Sequence, residues 1–243
     1  MSGDTRAESG DPAVLAVEEQ PSGVVALWLS RPESRNALDP ALVRALTDQF
    51  RRADARAFVL GSTAPRCFCA GADLRLKDAE RAEVSQRLYE LYGAMIATAA
   101  PIVVAVEGPA VGGGAQLALA GDIRIGSPSA RFRFPGPGHG LSVGPWGLTS
   151  VVGRGRALEI CLTMRDVEAH EALAMGLLNR IEDDPRAVAL ALAEAFARLD
   201  PGAVARTKEI VRRASRLDAA LELERGGNAA WSGSVEGLGP AGR

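Results

Sequence analysis

Two loops of small residues are the part of the sequence best suited to chemistry. They are residues 68–74 (Phe-Cys-Ala-Gly-Ala-Asp-Leu) and residues 108–114 (Gly-Pro-Ala-Val-Gly-Gly-Gly). Each loop precedes a stretch with helical spacing, so its N–H groups lie where the helix dipole favours negative charge. If the N–H groups of Ala72 and Gly113 converge, they form an oxyanion hole for a carbonyl or thioester oxygen that gains charge in a transition state.

A second interpretation is that both are ordinary loops in which glycine serves tight turns, and the glycine triplet alone favours this reading. The glycines do not match a nucleotide-binding motif. Gly108, Gly112 and Gly114 are out of register with the G-x-G-x-x-G fingerprint, and no Gly-Lys-Ser/Thr marks a P-loop.

The segments around these loops alternate between strand and helix. Turn residues between two β-branched runs predict an opening hairpin, and Asp39 followed by Pro40 predicts the start of a helix. Alternation of this kind favours an α/β core with parallel strands. The predicted strands are 14–17, 24–29, 57–60, 101–106 and 122–125, and the predicted helices are 39–50, 78–99, 115–120, 156–164, 168–175, 185–199, 203–214 and 217–231.

Composition excludes several classes of protein. A net charge of -2 over 243 residues provides no broad basic field, so we expect no nucleic-acid partner. The two histidines and three cysteines lack metal-ligand spacing, so no metal site is expected, and Cys67 and Cys69 are interpreted as small buried fillers.

The longest apolar stretch is shorter than the ~20 residues of a spanning helix, so no membrane span is expected. The polar start lacks the layout of a signal peptide, which makes the cytoplasm the expected location.

Four linked motifs closely resemble the crotonase superfamily of enoyl-CoA hydratases and isomerases. They are residues 31–38 (Arg-Pro-Glu-Ser-Arg-Asn-Ala-Leu), the two loops, and Gln116-Leu117 followed by Asp122. The resemblance implies an α/β fold, with a crotonase-like core of repeated ββα turns and a helical C-terminal region used in a homotrimer or a dimer of trimers. The expected division is a flexible tail at 1–12, a core at 13–198, and a trimerisation region with a frayed tail at 199–243.

The same resemblance implies an acyl-CoA ligand whose thioester oxygen sits between the N–H groups of Ala72 and Gly113. Coenzyme A is then part of the substrate or ligand, and no permanently bound cofactor is expected. The positions that the resemblance places at the substrate and CoA are Ala37, Ala70, Gly71, Ala72, Asp73, Leu74, Arg75, Gly112 and Gly113.

The sequence departs from the family where hydratases carry their two catalytic glutamates. Those places correspond to Gln116 and Gly136, and the aspartate of related isomerases falls at Gly144. An amide cannot exchange a proton near neutral pH, and glycine has no side chain, so standard hydration is not expected. His139 is the one nearby side chain whose ordinary pKa is close to neutrality, although a histidine between glycines also suits a plain loop.

Two functions remain open. The first is an acyl-CoA enzyme of fatty-acid or related metabolism that stabilises a thioester enolate, and the second is a non-catalytic acyl-CoA binding protein. A third pattern, Gly140-Leu-Ser142-Val-Gly144 with Asp166 and His170, matches the serine hydrolase motif. A nucleophile elbow needs a hydrophobic strand before its serine, whereas this serine follows a proline- and glycine-rich loop, which argues against a hydrolase.

Overall fold

A computed structural model describes residues 14–64 and 66–235. The tails predicted at residues 1–12 and after residue 235 lie outside the described residues. The strands are β1 (Leu15–Glu19), β2 (Val24–Leu29), β3 (Ala57–Ser62), β4 (Ile102–Val106), β5 (Pro109–Val111), β6 (Ile123–Gly126), β7 (Arg131–Arg133), β8 (Val167–Glu168) and β9 (Arg180–Ile181). The α-helices are α1 (Pro40–Phe50), α2 (Asp78–Ala97), α3 (Gly113–Ala120), α4 (Pro145–Val152), α5 (Arg154–Thr163), α6 (Ala169–Ala174), α7 (Pro185–Ala197), α8 (Pro201–Ala214) and α9 (Leu217–Gly227).

The main sheet has the strand order β1-β2-β3-β4-β6-β9. The β1–β2 pair is antiparallel, as the predicted hairpin requires, and the other pairs are parallel. One face of this sheet packs on α7, through Ala189, Ala193 and Ala197, and the other faces the larger core beneath α1 and α2. Because both faces are covered, the central strands are apolar on both sides, and the α/β prediction is confirmed.

A second sheet, in the order β5-β7-β8, was not predicted. Its strands have two or three residues, which is too short for a period-2 pattern to be visible in the sequence. Strand β5 lies inside the second small-residue loop and pairs in parallel with β7. This sheet therefore connects the loop of residues 108–114 with the segment that leads to Gly136.

The helices follow the predictions with two exceptions that concern the site. Helix α1 begins as predicted, with the Asp39 carboxylate accepting a hydrogen bond from the Leu42 N–H at 2.8 Å. Helix α3 begins at Gly113, two residues earlier than predicted, so the end of the glycine loop is already helical. Helix α4 was not predicted, because its start follows a run of glycine and proline that is typical of loops.

The C-terminal helices leave apolar side chains at the surface. Helix α9 packs against α2 and α4, whereas α8 has no buried residue. An exposed apolar surface of this kind suits contacts between subunits, and the trimer stays a prediction. No described helix is both long and apolar enough to cross a membrane. The exposed large apolar residues on α5, α8 and α9 are Leu158, Leu162, Ile210, Val211 and Leu223.

Candidate active site

The two small-residue loops are in direct main-chain contact. The Phe68 N–H donates a hydrogen bond to the Pro109 carbonyl at 3.1 Å, and the Val111 N–H donates to the Cys69 carbonyl at 3.0 Å. A Cβ atom on Gly71 would lie 2.6 Å from the Val111 carbonyl oxygen and 3.4 Å from the Gly113 nitrogen. The residue preceding Ala72 therefore lies against the first residue of α3.

The N–H groups of Ala72 and Gly113 are available to a ligand. The Leu38 N–H donates to the Gly71 carbonyl at 2.7 Å, and the Leu38 carbonyl accepts from the Asp73 N–H at 3.0 Å. These two bonds lie on either side of Ala72 and do not use its N–H. Gly113 opens α3, where first-turn N–H groups have no partner within the helix. Within the described residues, neither of these two N–H groups donates a hydrogen bond.

Asn36 links the segment of residues 31–38 to the first small-residue loop. Its amide oxygen accepts from the Arg31 N–H at 2.8 Å, and its amide nitrogen donates to the Phe68 carbonyl at 2.9 Å. The neighbouring Ala37 is buried, and its carbonyl accepts a hydrogen bond from the Arg31 guanidinium. Asn36 thus joins the segment carrying Ala37 to the loop carrying Ala72.

Asp73 is a charged support rather than a proton carrier. Its buried carboxylate pairs with Arg75 at 2.7 Å and with Arg31 at 3.4 Å. The hydrogen bond from Arg75 is the main reason that the pKa of Asp73 falls to about 2. The Leu74 and Arg75 side chains are exposed at the rim, and the Ala70 N–H donates to the Arg35 carbonyl. These residues line the loop, but none can give up a proton at neutral pH.

Gln116 is held by an aromatic pair. The Trp146 indole N–H donates to the Gln116 amide oxygen at 2.7 Å, and both side chains are buried. The Trp146 ring stacks on Tyr92 with centroids 6.1 Å apart, and the Tyr92 hydroxyl donates to the Gly113 carbonyl at 2.9 Å. Gln116 and Gly113, one helical turn apart, are therefore fixed by the same two rings.

The two glycines at the expected acid positions have no room for a side chain. A Cβ on Gly136 would lie 2.7 Å from the Val143 Cβ. Gly144 has φ +92°, and a Cβ there would lie 2.4 Å from the Phe134 ring. The positions are thus filled by apolar neighbours. That Gly136 and Gly144 stand where relatives carry carboxylates stays a prediction.

His139 ends a short 3-10 helix, Pro137–His139, directly after Gly136. Its Nδ1 atom is buried and has no hydrogen-bond partner among the described residues. Burial first, and then the positive charges of Arg133 and Arg81, lowers the pKa of His139 below its ordinary value. The imidazole is therefore neutral at physiological pH.

Glu224 on α9 is a site residue that sequence reasoning missed. Its buried carboxylate accepts from the N–H groups of Gly144 and Trp146, each at 3.1 Å, and from the Tyr89 hydroxyl at 3.2 Å. Burial raises its pKa to about 7, against the lowering effect of these donors. The signal available in the sequence was the spacing of Leu221, Glu224 and Asn228, which places them on one helical face. The structure shows that all three are buried.

The serine hydrolase pattern is not assembled into a triad. Ser142 is exposed, and its N–H and carbonyl groups are both hydrogen-bonded to Asn228. Asp166 pairs with Arg131 at 3.5 Å. His170 is exposed on α6 and makes no hydrogen bond with Ser142 in the described chain. Cys67 and Cys69 are buried, as interpreted, and Cys161 is buried as well. Burial raises the pKa of Cys69 to about 12.

The raised pKa of Glu224 predicts a pH-dependent stability. A buried acid whose pKa rises from 4.5 to about 7 binds more protons in the folded state between those values. Its contribution to the free energy of unfolding is therefore full below about pH 4.5 and is lost as the pH rises to about 7. We expect a loss of about 2 to 3 kcal/mol from this group.

Urea unfolding measured across this pH range should show that slope in the wild type and not in Glu224→Gln. Glu222→Gln, on the exposed side of the same helix, is the matched control. An unchanged slope in Glu224→Gln would contradict the assignment.

Because neighbouring atoms pack tightly against Gly136, a single added methyl group should overpack this position. Gly136→Ala should lower the free energy of unfolding by about 1 to 3 kcal/mol, because the added Cβ meets Val143. Gly155→Ala, where a Cβ meets open space on α5, should cost nothing. Equal stability of wild type and Gly136→Ala in thermal unfolding would show that the position is not filled.

Comparison with known proteins places the chain in a family. Residues 19–229 match the family model described as enoyl-CoA hydratase/isomerase. A relative from Mycobacterium tuberculosis, named "Probable enoyl-CoA hydratase echA6", is 42% identical over 198 residues, covering 79% of this chain and 80% of the relative.

Two solved structures have the same fold. The crystal structure of an enoyl-CoA hydratase/isomerase from Pseudoalteromonas atlantica T6c superposes with a TM-score of 0.79 at 32% identity, covering 91% of this chain and 92% of the other. The structure of Pseudomonas aeruginosa DspI gives a TM-score of 0.78 at 29% identity, covering 92% and 96%. The crotonase-like fold is thereby confirmed, and the chain belongs to the enoyl-CoA hydratase/isomerase family.

Proposed function

We propose that this protein binds an acyl-CoA thioester and polarises its carbonyl between the N–H groups of Ala72 and Gly113. The carrying observation is that these two N–H groups lie on touching loops and donate no hydrogen bond within the described residues. Donors that are fixed before the ligand arrives stabilise the negative charge of an enolate without reorganising. The role fits fatty-acid or related acyl-CoA metabolism.

The proposed chemistry is not hydration. Adding water to an enoyl-CoA needs a group that removes a proton and one that supplies it, each worth about 10² to 10⁴ in rate. Gln116 cannot transfer a proton, and the space at Gly136 is taken by Val143. Isomerisation or decarboxylation, in which the enolate is the demanding species, suits the site better. The neutral His139, or a group on the substrate, would then move the proton.

A second function is favoured by the same residues. An amide at position 116 and a filled site at position 136 are what a protein would carry that retains acyl-CoA binding without turnover. Both functions use the same two N–H donors, so they differ only in whether a proton is moved after binding.

Gly113→Pro tests the donor at that position. Proline is tolerated at the first residue of a helix and replaces the N–H hydrogen by a ring carbon. Gly113→Ala keeps the N–H and adds the same Cβ, 3.1 Å from the Leu38 Cδ1 atom, so it controls for that contact. We expect Gly113→Pro to bind butyryl-CoA about 3- to 10-fold more weakly than Gly113→Ala in calorimetry, the value of one hydrogen bond. Any turnover should fall by about 10² to 10³. Equal affinity in the two variants would remove Gly113 from the proposed donor pair.

Assays with crotonyl-CoA and longer 2-enoyl-CoAs separate catalysis from binding. We expect calorimetric binding of these thioesters with no hydration. Isomerisation or another turnover that falls in His139→Ala would support the enzyme. Binding with no turnover, and with the same affinity in His139→Ala, would support the binding protein. Rapid hydration would contradict both.

A further inference from the structure

The direction of the Gln116 amide is determined by its neighbour. An indole nitrogen carries a hydrogen and can only donate, so the Trp146 Nε1 atom 2.7 Å away must face the amide oxygen. The amide nitrogen of Gln116 therefore points away from Trp146. A glutamate in this place would present an acceptor there, whereas this glutamine presents two N–H donors.

The Gln116 amide nitrogen is accessible and unused. Within the described residues it makes no hydrogen bond, and the buried side-chain nitrogens and oxygens that lack a partner there are Arg81 Nε and His139 Nδ1. Gln116 follows Gly113 by one turn of α3, so the two residues lie on the same side of the helix, roughly 5 Å apart along its axis. The amide nitrogen of Gln116 is thus a candidate third donor.

The carboxylates near the site are already engaged by donors of the protein itself. Asp73 is paired with Arg31 and Arg75. Glu224 is occupied by the N–H groups of Gly144 and Trp146 and by the Tyr89 hydroxyl. The N–H groups of Ala72, Gly113 and Gln116 are then the donors that the site offers to a ligand. A ligand that matches them carries two oxygens, one at the thioester and one farther along the acyl chain.

We propose that Gln116 determines substrate specificity by donating an N–H hydrogen bond to an oxygen borne on the β carbon of the acyl group. The two oxygens of such a thioester are separated by a single carbon between their carbonyl carbons, which suits donors one helical turn apart. The substrate class is therefore a β-oxygenated acyl-CoA, with either a ketone or a carboxylate at that carbon. This inference rests on the proposed binding of the thioester by Ala72 and Gly113.

Calorimetric titration with three commercial thioesters tests the inference. Butyryl-CoA carries no β oxygen, acetoacetyl-CoA carries a ketone, and malonyl-CoA carries a carboxylate. We expect the wild type to bind acetoacetyl-CoA about 3- to 10-fold more tightly than butyryl-CoA, or malonyl-CoA at least about 10-fold more tightly, because a charged acceptor forms the stronger bond. A preference for acetoacetyl-CoA would identify a ketone oxygen as the acceptor, and a preference for malonyl-CoA would identify a carboxylate oxygen.

Gln116→Glu is the matched variant at mildly alkaline pH. It keeps an oxygen for the Trp146 indole and replaces the N–H donors by a second acceptor. The measured quantity is the ratio of the affinities for the β-oxygenated thioester and for butyryl-CoA, so a general loss of binding in the variant cancels. The preference for the β-oxygenated ligand should disappear or reverse. Trp146→Phe, which frees the amide to turn, should reduce the preference, and circular dichroism verifies folding of both variants.

The outcomes separate the inference from the function on which it rests. If the wild type binds none of the three thioesters, the proposed function is wrong and the inference falls with it. If it binds all three with equal affinity, acyl-CoA binding stands and the role of Gln116 is wrong. A preference that survives in folded Gln116→Glu also overturns the inference. If neither variant folds, the wild-type comparison alone decides.

Discussion

The site depends on two main chains approaching each other with no side chain between them. A Cβ on Gly114 would lie 2.3 Å from the Cys69 carbonyl oxygen, and one on Gly71 would lie 2.6 Å from that of Val111. Glycine is the residue that permits such contact, and the contact places Ala72 beside the start of α3. The free N–H donors, the helix dipole behind them and the position of Gln116 all follow from this approach.

The C-terminal helix supports the opposite wall of the same site. Glu224 on α9 and Asn228 directly after it hold the main chain of the segment from Ser142 to Trp146. Trp146 in turn fixes Gln116. The helical C-terminal region, for which the family resemblance implies a role in assembly, therefore also positions residues of the candidate site. Its buried carboxylate lies two hydrogen bonds away from the glutamine, with Trp146 in between.

Local patterns predicted the framework and the loops. The opening hairpin, the capped start of α1 and the two glycine loops are visible because each depends on neighbouring residues. The second sheet was missed because its strands are too short, and α4 was missed because it follows glycine and proline. The bond between Trp146 and Gln116 joins residues 30 positions apart, so no periodicity reveals it. Likewise the sequence predicts that Gly136 lacks a carboxylate, but only the fold reveals that Val143 fills the space.

The proposed function depends on backbone donors, whose geometry is set by the loop contact rather than by replaceable side chains. Difference infrared spectroscopy of bound butyryl-CoA, labelled with carbon-13 at the thioester carbonyl, measures that polarisation directly. The account predicts a carbonyl stretch at lower frequency in the complex than in water. A frequency equal to or above that in water would contradict it.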